Sequence, residues 1–354
     1  MAEAIGTYLA ILVAFVGGLM LWLPRLSRRE LFFSVTVNAD FPRGETARPI
    51  LRRFDARVVG VTLTAEIAVA WGVGTSRLWP VLGALILQLA GCFWAFLAAH
   101  KAVIPHAVAP TTVREAALAP RPIRPVGGWV LQLAPFAILC AAAAYLHANW
   151  RRIPARFPVH WGVNGEPNGW STRTPAGVYG PLITGGVMVV FLLLITWGIL
   201  RWTRHVHASG GAAAAELGRE RRYLLILTFT EFMIAFDFGW TAILPLRASP
   251  ASSPSMAIPF GGTMLLLGLL VLLFVAHRPQ EPLPATGASV TGDRTEDRYW
   301  KAGMIYVNRN DPAVLVEKRF GIGYTLNFGH WISWMILVLI LLVPLLALLF
   351  VKPH

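Results

Sequence analysis

Long apolar runs decide what this chain can fold into. Eight stretches, at 4–24, 58–76, 80–100, 127–147, 177–200, 223–246, 257–277 and 330–351, are dominated by Leu, Val, Ala, Ile and Phe. Each is close to the ~20 apolar residues that an α-helix needs to cross about 30 Å of hydrocarbon. Lipid offers the backbone no hydrogen-bonding partner, so runs of this length read as helices that satisfy their own N–H and C=O groups. Of the 354 residues, 56% are hydrophobic and 14% are charged. Soluble domains are about 45–50% apolar and about 25% charged. A soluble enzyme, a disordered chain and a secreted disulfide scaffold are therefore excluded. The expected fold class is an all-α polytopic membrane protein of about eight transmembrane helices, with a small turn-rich outer cap and a small cytoplasmic β-like segment. The expected division is 1–126 as a three-span N-terminal region, 127–277 as a central membrane domain capped by 148–176, 278–329 as the β-like segment, and 330–354 as the last helix.

The net charge of +13 would suggest nucleic acid in a soluble protein. Here it reads as topology, because membrane proteins keep Lys and Arg in cytoplasmic loops. The segments 25–57, 101–126, 201–222 and 278–329 hold 24 of the 31 basic residues. That split predicts both termini outside, in a multi-pass protein of the bacterial plasma membrane, and no nucleic-acid partner. Arg25, Arg28 and Arg29 follow the first span rather than precede it, so it does not read as a cleaved signal peptide. Arg52, Arg53 and Arg57 read as an anchor at an anionic lipid surface. Only Arg77, Leu78 and Trp79 separate the second and third spans, which predicts a tight helical hairpin. Cys92 and Cys140 lie in apolar runs and read as buried thiols.

Four segments outside the spans carry further pattern. Leu31 to Val37 is β-branched and aromatic and can pair as a short strand. Residues 101–126 read as an irregular Pro- and Ala-rich connector, and 203–220 as a joint with a short helical lead into the sixth span. The outer segment 148–176 has alternating Val159, Trp161 and Val163, and two Asn-Gly pairs, Asn164-Gly165 and Asn168-Gly169, that signal tight turns. It predicts a cap of one or two hairpins. In 293–328, Met304–Val307 and Val314–Val316 read as strands around a turn cluster at 308–312, with Gly321 and Gly323 breaking the chain before Tyr324.

Two of these stretches resemble known bacterial sequences. Ile153-Pro154, Phe157-Pro158-Val159-His160-Trp161 and Asn164-Gly165-Glu166-Pro167-Asn168-Gly169-Trp170 resemble a membrane domain of unknown function found in the SdpI-type immunity proteins. Trp300-Lys301, Tyr306-Val307-Asn308, Asp311-Pro312, Lys318-Arg319-Phe320-Gly321 and Thr325-Leu326-Asn327-Phe328 are similar to a second domain without an assigned function. The resemblance implies an integral protein of the bacterial plasma membrane. Its best-known type protects the host from a secreted toxic peptide and relays toxin sensing to a cytoplasmic repressor. This chain departs from that type by its extra N-terminal spans and its late β-like segment.

The chemistry-bearing residues fall into three groups. Glu66, Glu231 and Asp237 lie at membrane depth, where an ionised carboxylate needs a partner or a wet cavity. Glu231 and Asp237 are six residues apart, so they point about 120° apart around one helix. They read either as a proton or cation path or as neutral interhelical contacts. The outer cap combines Arg151, Arg152, Arg156 and Arg173 with Trp150, Phe157, Trp161 and Trp170. Its candidate ligand-binding set is Arg156, His160, Trp161, Asn164, Glu166, Asn168 and Trp170, with an interfacial aromatic belt as the plainer account. The candidate cytoplasmic docking set is Trp300, Asn308, Asp311, Lys318, Arg319 and Asn327. His160, Glu166 and His147 raise a metal reading, but their spacing matches no His-Glu-x-x-His helix, so no metal and no cofactor is expected. No nucleophile motif or phosphate-binding loop stands in a plausible context, and the chain reads as non-enzymatic.

These features predict an envelope sensor or immunity protein that takes up a peptide or small molecule outside, sits in lipid, and signals to a cytoplasmic regulator. The alternatives are a proton- or cation-coupled transporter built on the intramembrane carboxylates, and a membrane-embedded metal-dependent enzyme at His160 and Glu166.

Overall fold

The structure is a computed structural model that describes residues 2–27, 30–109, 125–161, 167–202, 211–247, 268, 295–321 and 323–350. It is mostly helical, and six of the described helices are long and apolar enough to cross a membrane. They are α1 (Ala2–Leu26), α2 (Ala47–Gly74), α3 (Leu78–Val103), α4 (Gly128–Ala148), α5 (Pro175–Trp202) and α6 (Gly211–Arg247). Of the expected seventh span, 257–277, only residue 268 is described. The eighth coincides with α7 (Trp331–Phe350), a helix of 20 residues.

α2 and α6 begin 11 and 12 residues earlier than the apolar runs that announced them, at Ala47 against 58 and at Gly211 against 223. Their first turns hold Arg48, Arg52, Arg53 and Asp55, or Ala212–Ala215 and Glu216. Such residues are good or acceptable helix formers but contribute nothing to hydropathy. Hydropathy marks the part of a helix that sits in lipid, not the part that projects from it.

The helices pack as two three-helix groups, α1–α3 and α4–α6. The joint between α2 and α3 is a tight hairpin, closed by Ser76 at positive φ and by Trp71 edge-on to Trp79 at 4.8 Å. Close approach within each group depends on small residues. A Cβ placed on Gly91 of α3 would lie 2.6 Å from a Val61 methyl of α2. One on Gly185 of α5 would lie 2.6 Å from Cβ of Phe238 on α6. Large apolar side chains such as Ile67, Ile86, Leu89, Val130 and Ile183 point outward, as lipid-facing positions require.

Short antiparallel hairpins close the two ends of this assembly. At one end, β3 (Arg156–Trp161) pairs with β4 (Pro167–Thr172) between α4 and α5. The Asn168-Gly169 pair, expected to turn the chain, instead lies inside β4. Gly169 pairs with His160 where the register shifts, and glycine suits such a bulge as well as it suits a turn. Asn164-Gly165 lies outside the described residues.

The other end carries three hairpins. β1 (Leu31–Phe32) pairs with β2 (Val35–Thr36) in the loop between α1 and α2. β5 (Trp300–Lys301) pairs with β6 (Ile305–Tyr306), and β7 (Leu315–Glu317) pairs with β8 (Tyr324–Leu326). The two expected strands of this segment do not pair with each other. The one at 305–306 folds back on 300–301, because Ala302 and Gly303 take positive φ and turn the chain there. The one at 315–317 pairs forward across Gly321 and Gly323, both also at positive φ. A single parallel bridge, Tyr306 to Asn327, joins the two hairpins into one module, residues 295–330.

Filling the interhelical approach should be costly. Gly185→Val is expected to destabilise the α5–α6 packing by about 1–3 kcal/mol, the usual range for an overpacked interior. Gly60→Ala, where a Cβ meets nothing within 4 Å, serves as the neutral control. Thermal unfolding of the detergent-solubilised protein, followed by tryptophan fluorescence, reads the difference.

Candidate functional site

Three places gather the polar side chains: the β3–β4 cap, the interior of α4–α6, and the module at the opposite end. The cap is rooted in the central helices by Ile153 and Phe157, both buried against Leu146, Val178 and Leu182. Arg173 ties its base by donating to the carbonyls of Arg151 and Ile153 at 3.1 and 3.0 Å. Arg156 lies over the Trp170 ring at 5.1 Å, and both side chains are exposed. A guanidinium on an indole face is a cation–π pair that leaves its N–H edge open to an acceptor. His160, Trp161 and Asn168 are placed only as strand positions of β3 and β4, and Asn164 and Glu166 lie outside the described residues.

The three intramembrane acids do not share one cavity. Glu66 of α2 lines an open apolar cleft of about 650 Å³ against α1, together with Gly6, Thr7 and Ala10. Asp237 is half-buried on α6. Glu231, on the same helix, is completely buried, and neither carboxylate oxygen has a hydrogen-bond partner among the described residues. Thr196 of α5 is fully buried, and its hydroxyl faces the carboxylate. One turn along α6, Thr228 donates to the Leu224 carbonyl and accepts from Gln132 Nε2 of α4 at 2.8 Å. Gln132 also donates to the Val126 carbonyl, and its Oε1 is buried and unpartnered. The residue pattern gave no weight to Gln132 or Thr196. A lone polar residue within an apolar run was the available signal.

The module is the most fully bonded of the three. Arg319 is buried, with its side chain 0% exposed. Its guanidinium donates to the Asp297 carboxylate, to the Thr295 carbonyl and, at 3.1 Å, to the Ser34 carbonyl, and it lies over the Trp300 ring at 5.2 Å. Asp297 in turn accepts from the Thr36 hydroxyl at 2.6 Å and from the Thr36 N–H at 3.2 Å. One guanidinium and one carboxylate thus pin residues 295–319 to the β1–β2 hairpin.

The two hairpins also meet tip to tip. Phe33 and Ser34 occupy the central positions of a two-residue turn at positive φ, where Asn-Gly is the usual choice. The Phe33 ring is buried among Phe54, Phe96 and Phe320, and its carbonyl bonds His100 Nδ1 at 2.8 Å. Gly303 sits against this tip, so that a Cβ there would lie 2.8 Å from the His100 ring and 2.9 Å from Ser34. The matching hairpins lead into matching sequences, Val37-Asn38-Ala39-Asp40 and Val307-Asn308-Arg309-Asn310-Asp311, and comparing the chain with itself would have exposed the pair.

The module's other half reaches the central helices. Leu315 and Tyr324 pack on Ile199, Leu200 and Leu224, and the Tyr223 hydroxyl donates to Glu317 at 3.0 Å. Within the module Asn327, fully buried, donates to the carbonyls of Asn308, Asp311 and Ala313 and accepts from the N–H groups of Asn308 and Gly329. Asn308 and Asp311 both bond the Tyr306 hydroxyl. Of the six residues named for docking, Trp300, Asn308, Arg319 and Asn327 are buried, Asp311 is half-buried, and Lys318 is exposed. Five of the six, all but Lys318, make bonds within the module.

Among the described residues no three His, Cys, Asp or Glu side chains come together to hold a metal ion. The His160 and Glu166 side chains lie outside that set.

Removing the guanidinium should release the module. Arg319→Met leaves Asp297, about one-third exposed, to be resolvated and the Ser34 and Thr295 carbonyls without their donor. A loss of about 2–3 kcal/mol is expected, below the 3–5 kcal/mol of a fully buried broken pair. Hydrogen exchange should rise in both 31–37 and 295–320, and Arg319→Lys should rescue little because an ammonium cannot serve the three acceptors in one plane.

A domain of unknown function (DUF1648) matches residues 137–185, which span the end of α4, the cap and the start of α5. A family of unknown function (DUF5808) matches residues 309–334, the second half of the module and the first turn of α7. No curated protein and no solved structure matches the chain. The chain is thus a multi-pass membrane-type protein carrying two domains of unknown function, one at each end of its central helices.

Proposed function

We propose that this is a non-enzymatic protein of the bacterial plasma membrane, similar in type to the SdpI immunity proteins, that captures an envelope-active peptide or small molecule outside and reports it inside. The cap carries the capture surface, with Arg156 on Trp170 at its exposed edge. The module, on the cytoplasmic side, carries the output to a regulator. Membrane lipid surrounds the outward apolar faces. The observation that supports this most is the bonding of the module to both helix groups. Arg319 and Asp297 hold it to β1–β2, while Tyr223, Leu224 and Ile199 hold it to the helices that root the cap. A shift of α5 or α6 caused at the cap end therefore bears directly on β7 and β8.

Expression in a peptide-sensitive bacterial host, challenged with membrane-active peptides of differing charge, tests the reading. Protection against acidic or aromatic peptides is expected. It should fall with Arg156→Ala and with Trp170→Ala, each of which removes half of the cation–π pair. Tyr223→Phe should retain protection but weaken any ligand-dependent change in protease sensitivity of residues 295–330. Absence of both protection and a ligand-dependent change would sink the proposal.

Transport of a proton or cation is the second reading, favoured by the burial of Glu231. It predicts flux in proteoliposomes that Glu231→Gln abolishes. The separation of Glu66 from Glu231 into different helix groups leaves the central helices alone to provide the path.

A further inference from the structure

We infer that the interior of α4–α6 holds an exchangeable single positive charge, bound at Glu231 by oxygens from all three helices. The set is the Glu231 carboxylate and the Thr228 hydroxyl of α6, the Thr196 hydroxyl of α5 and the Gln132 side-chain carbonyl of α4. Thr228 and Glu231 are three residues apart and lie on one helix face. Gln132 is bonded to Thr228, and Thr196 faces Glu231, so the four belong to one interior patch.

The balance of donors and acceptors points to the occupant. Both Gln132 N–H bonds go to Val126 and Thr228, and the Thr228 hydroxyl donates to Leu224. What remains is an excess of acceptors: Gln132 Oε1 and both oxygens of Glu231 are buried and unpartnered among the described residues, against one hydroxyl donor, Thr196, that faces the carboxylate. A buried carboxylate served by one neutral hydroxyl is far out of balance unless something neutralises its charge. Among the described residues, α4, α5 and α6 bring no cation to this level. α4 carries Cys140, Tyr145 and His147 beyond it toward the cap, and α5 carries Tyr179 far above and Arg201 more than a turn below. α6 carries Glu220, Arg221, Arg222 and Tyr223 below and Asp237 above, and the module below presents Glu317 and Lys318. Hard oxygen ligands with one net negative charge suit an alkali cation, whereas a thiolate or imidazole set would suit a transition metal. A proton on Glu231 meets the same need.

Occupancy would be felt at the module. Thr228 bonds the Leu224 carbonyl, Leu224 packs on Leu315 and Tyr324, and the adjacent Tyr223 bonds Glu317. The inference stands on the interior of α4–α6 and is independent of what the cap captures, so the two can fail separately.

The test uses the full chain in lipid nanodiscs, unfolded thermally with tryptophan fluorescence as the readout. One arm titrates sodium and then potassium into choline chloride at pH 8. The other acidifies from pH 8 to 5.5 in choline alone. The wild type should gain several degrees in one arm, saturating as a single site. Glu231→Gln should not respond in that arm and should match or exceed the wild type in choline at pH 8, because it removes the uncompensated charge. It also controls for Glu66 and Asp237, which remain to titrate. If sodium is the occupant, Thr196→Val should raise the half-saturating concentration several-fold. If the proton is, Thr196→Val should leave the acid response in place. Should Glu231→Gln not purify, Glu231→Asp should show a response weakened several-fold. A wild type unmoved in both arms, or a Glu231 variant that responds as the wild type does, overturns the inference.

Discussion

A single buried guanidinium sets the architecture at one end of this protein. Arg319 has no water to fall back on, so each acceptor around it must be supplied by the fold. They come from two distant places in the chain: Asp297 and Thr295 just before β5, and Ser34 at the tip of β1–β2. No arrangement of residues 295–330 alone provides that set. Two-stranded hairpins are marginal in isolation, and the module consists of two of them. Its stability is therefore borrowed from the helix ends on which it sits, through the Arg319–Ser34 and Thr36–Asp297 bonds on one side and the Leu315 and Tyr324 contacts on the other.

That dependence gives the helix assembly a shared floor. The strongest helix packing lies within α1–α3 and within α4–α6. The module is bonded to a loop of the first group and to two helices of the second. Any rearrangement of one group relative to the other has to be accommodated by hairpins only two or three residues long per strand. A signal carried from the cap needs such a stiff, small element more than it needs a large one.

The helical frame was legible from the sequence because lipid imposes a length and a composition on every span. The α2–α3 hairpin and the strand pairing of the cap were legible for equally local reasons. Pairing within the module was not. Met304–Val307 and Val314–Val316 look like partners, but Ala302-Gly303 and Gly321–Gly323 turn the chain sooner. Residues that resembled a docking surface, Asn308, Arg319 and Asn327, are polar because they bond the module's own backbone. A polar residue in a loop looks the same in sequence whether it faces water or a buried carbonyl. Gln132 and Thr196 were invisible for the opposite reason, since one amide or hydroxyl barely changes the hydropathy of a span.

The turn at Phe33 and Ser34 has a consequence for how the protein is made. Left-handed backbone at two residues with side chains is unfavourable by roughly 1–2 kcal/mol each, and here neither is glycine or asparagine. Part of what secures it, the His100 bond to Phe33, becomes available once α3 has been synthesised. The rest, Arg319, Asp297, Phe320 and the Gly303 tip, lies 261 to 287 residues further along the chain than the groups of this loop that they meet. During synthesis the loop between α1 and α2 must wait, with its aromatic tip only partly covered, until residues 295–320 have left the ribosome. Closure of that loop and docking of the module are then a single event, and a product truncated ahead of the module announces itself by an exposed Phe33.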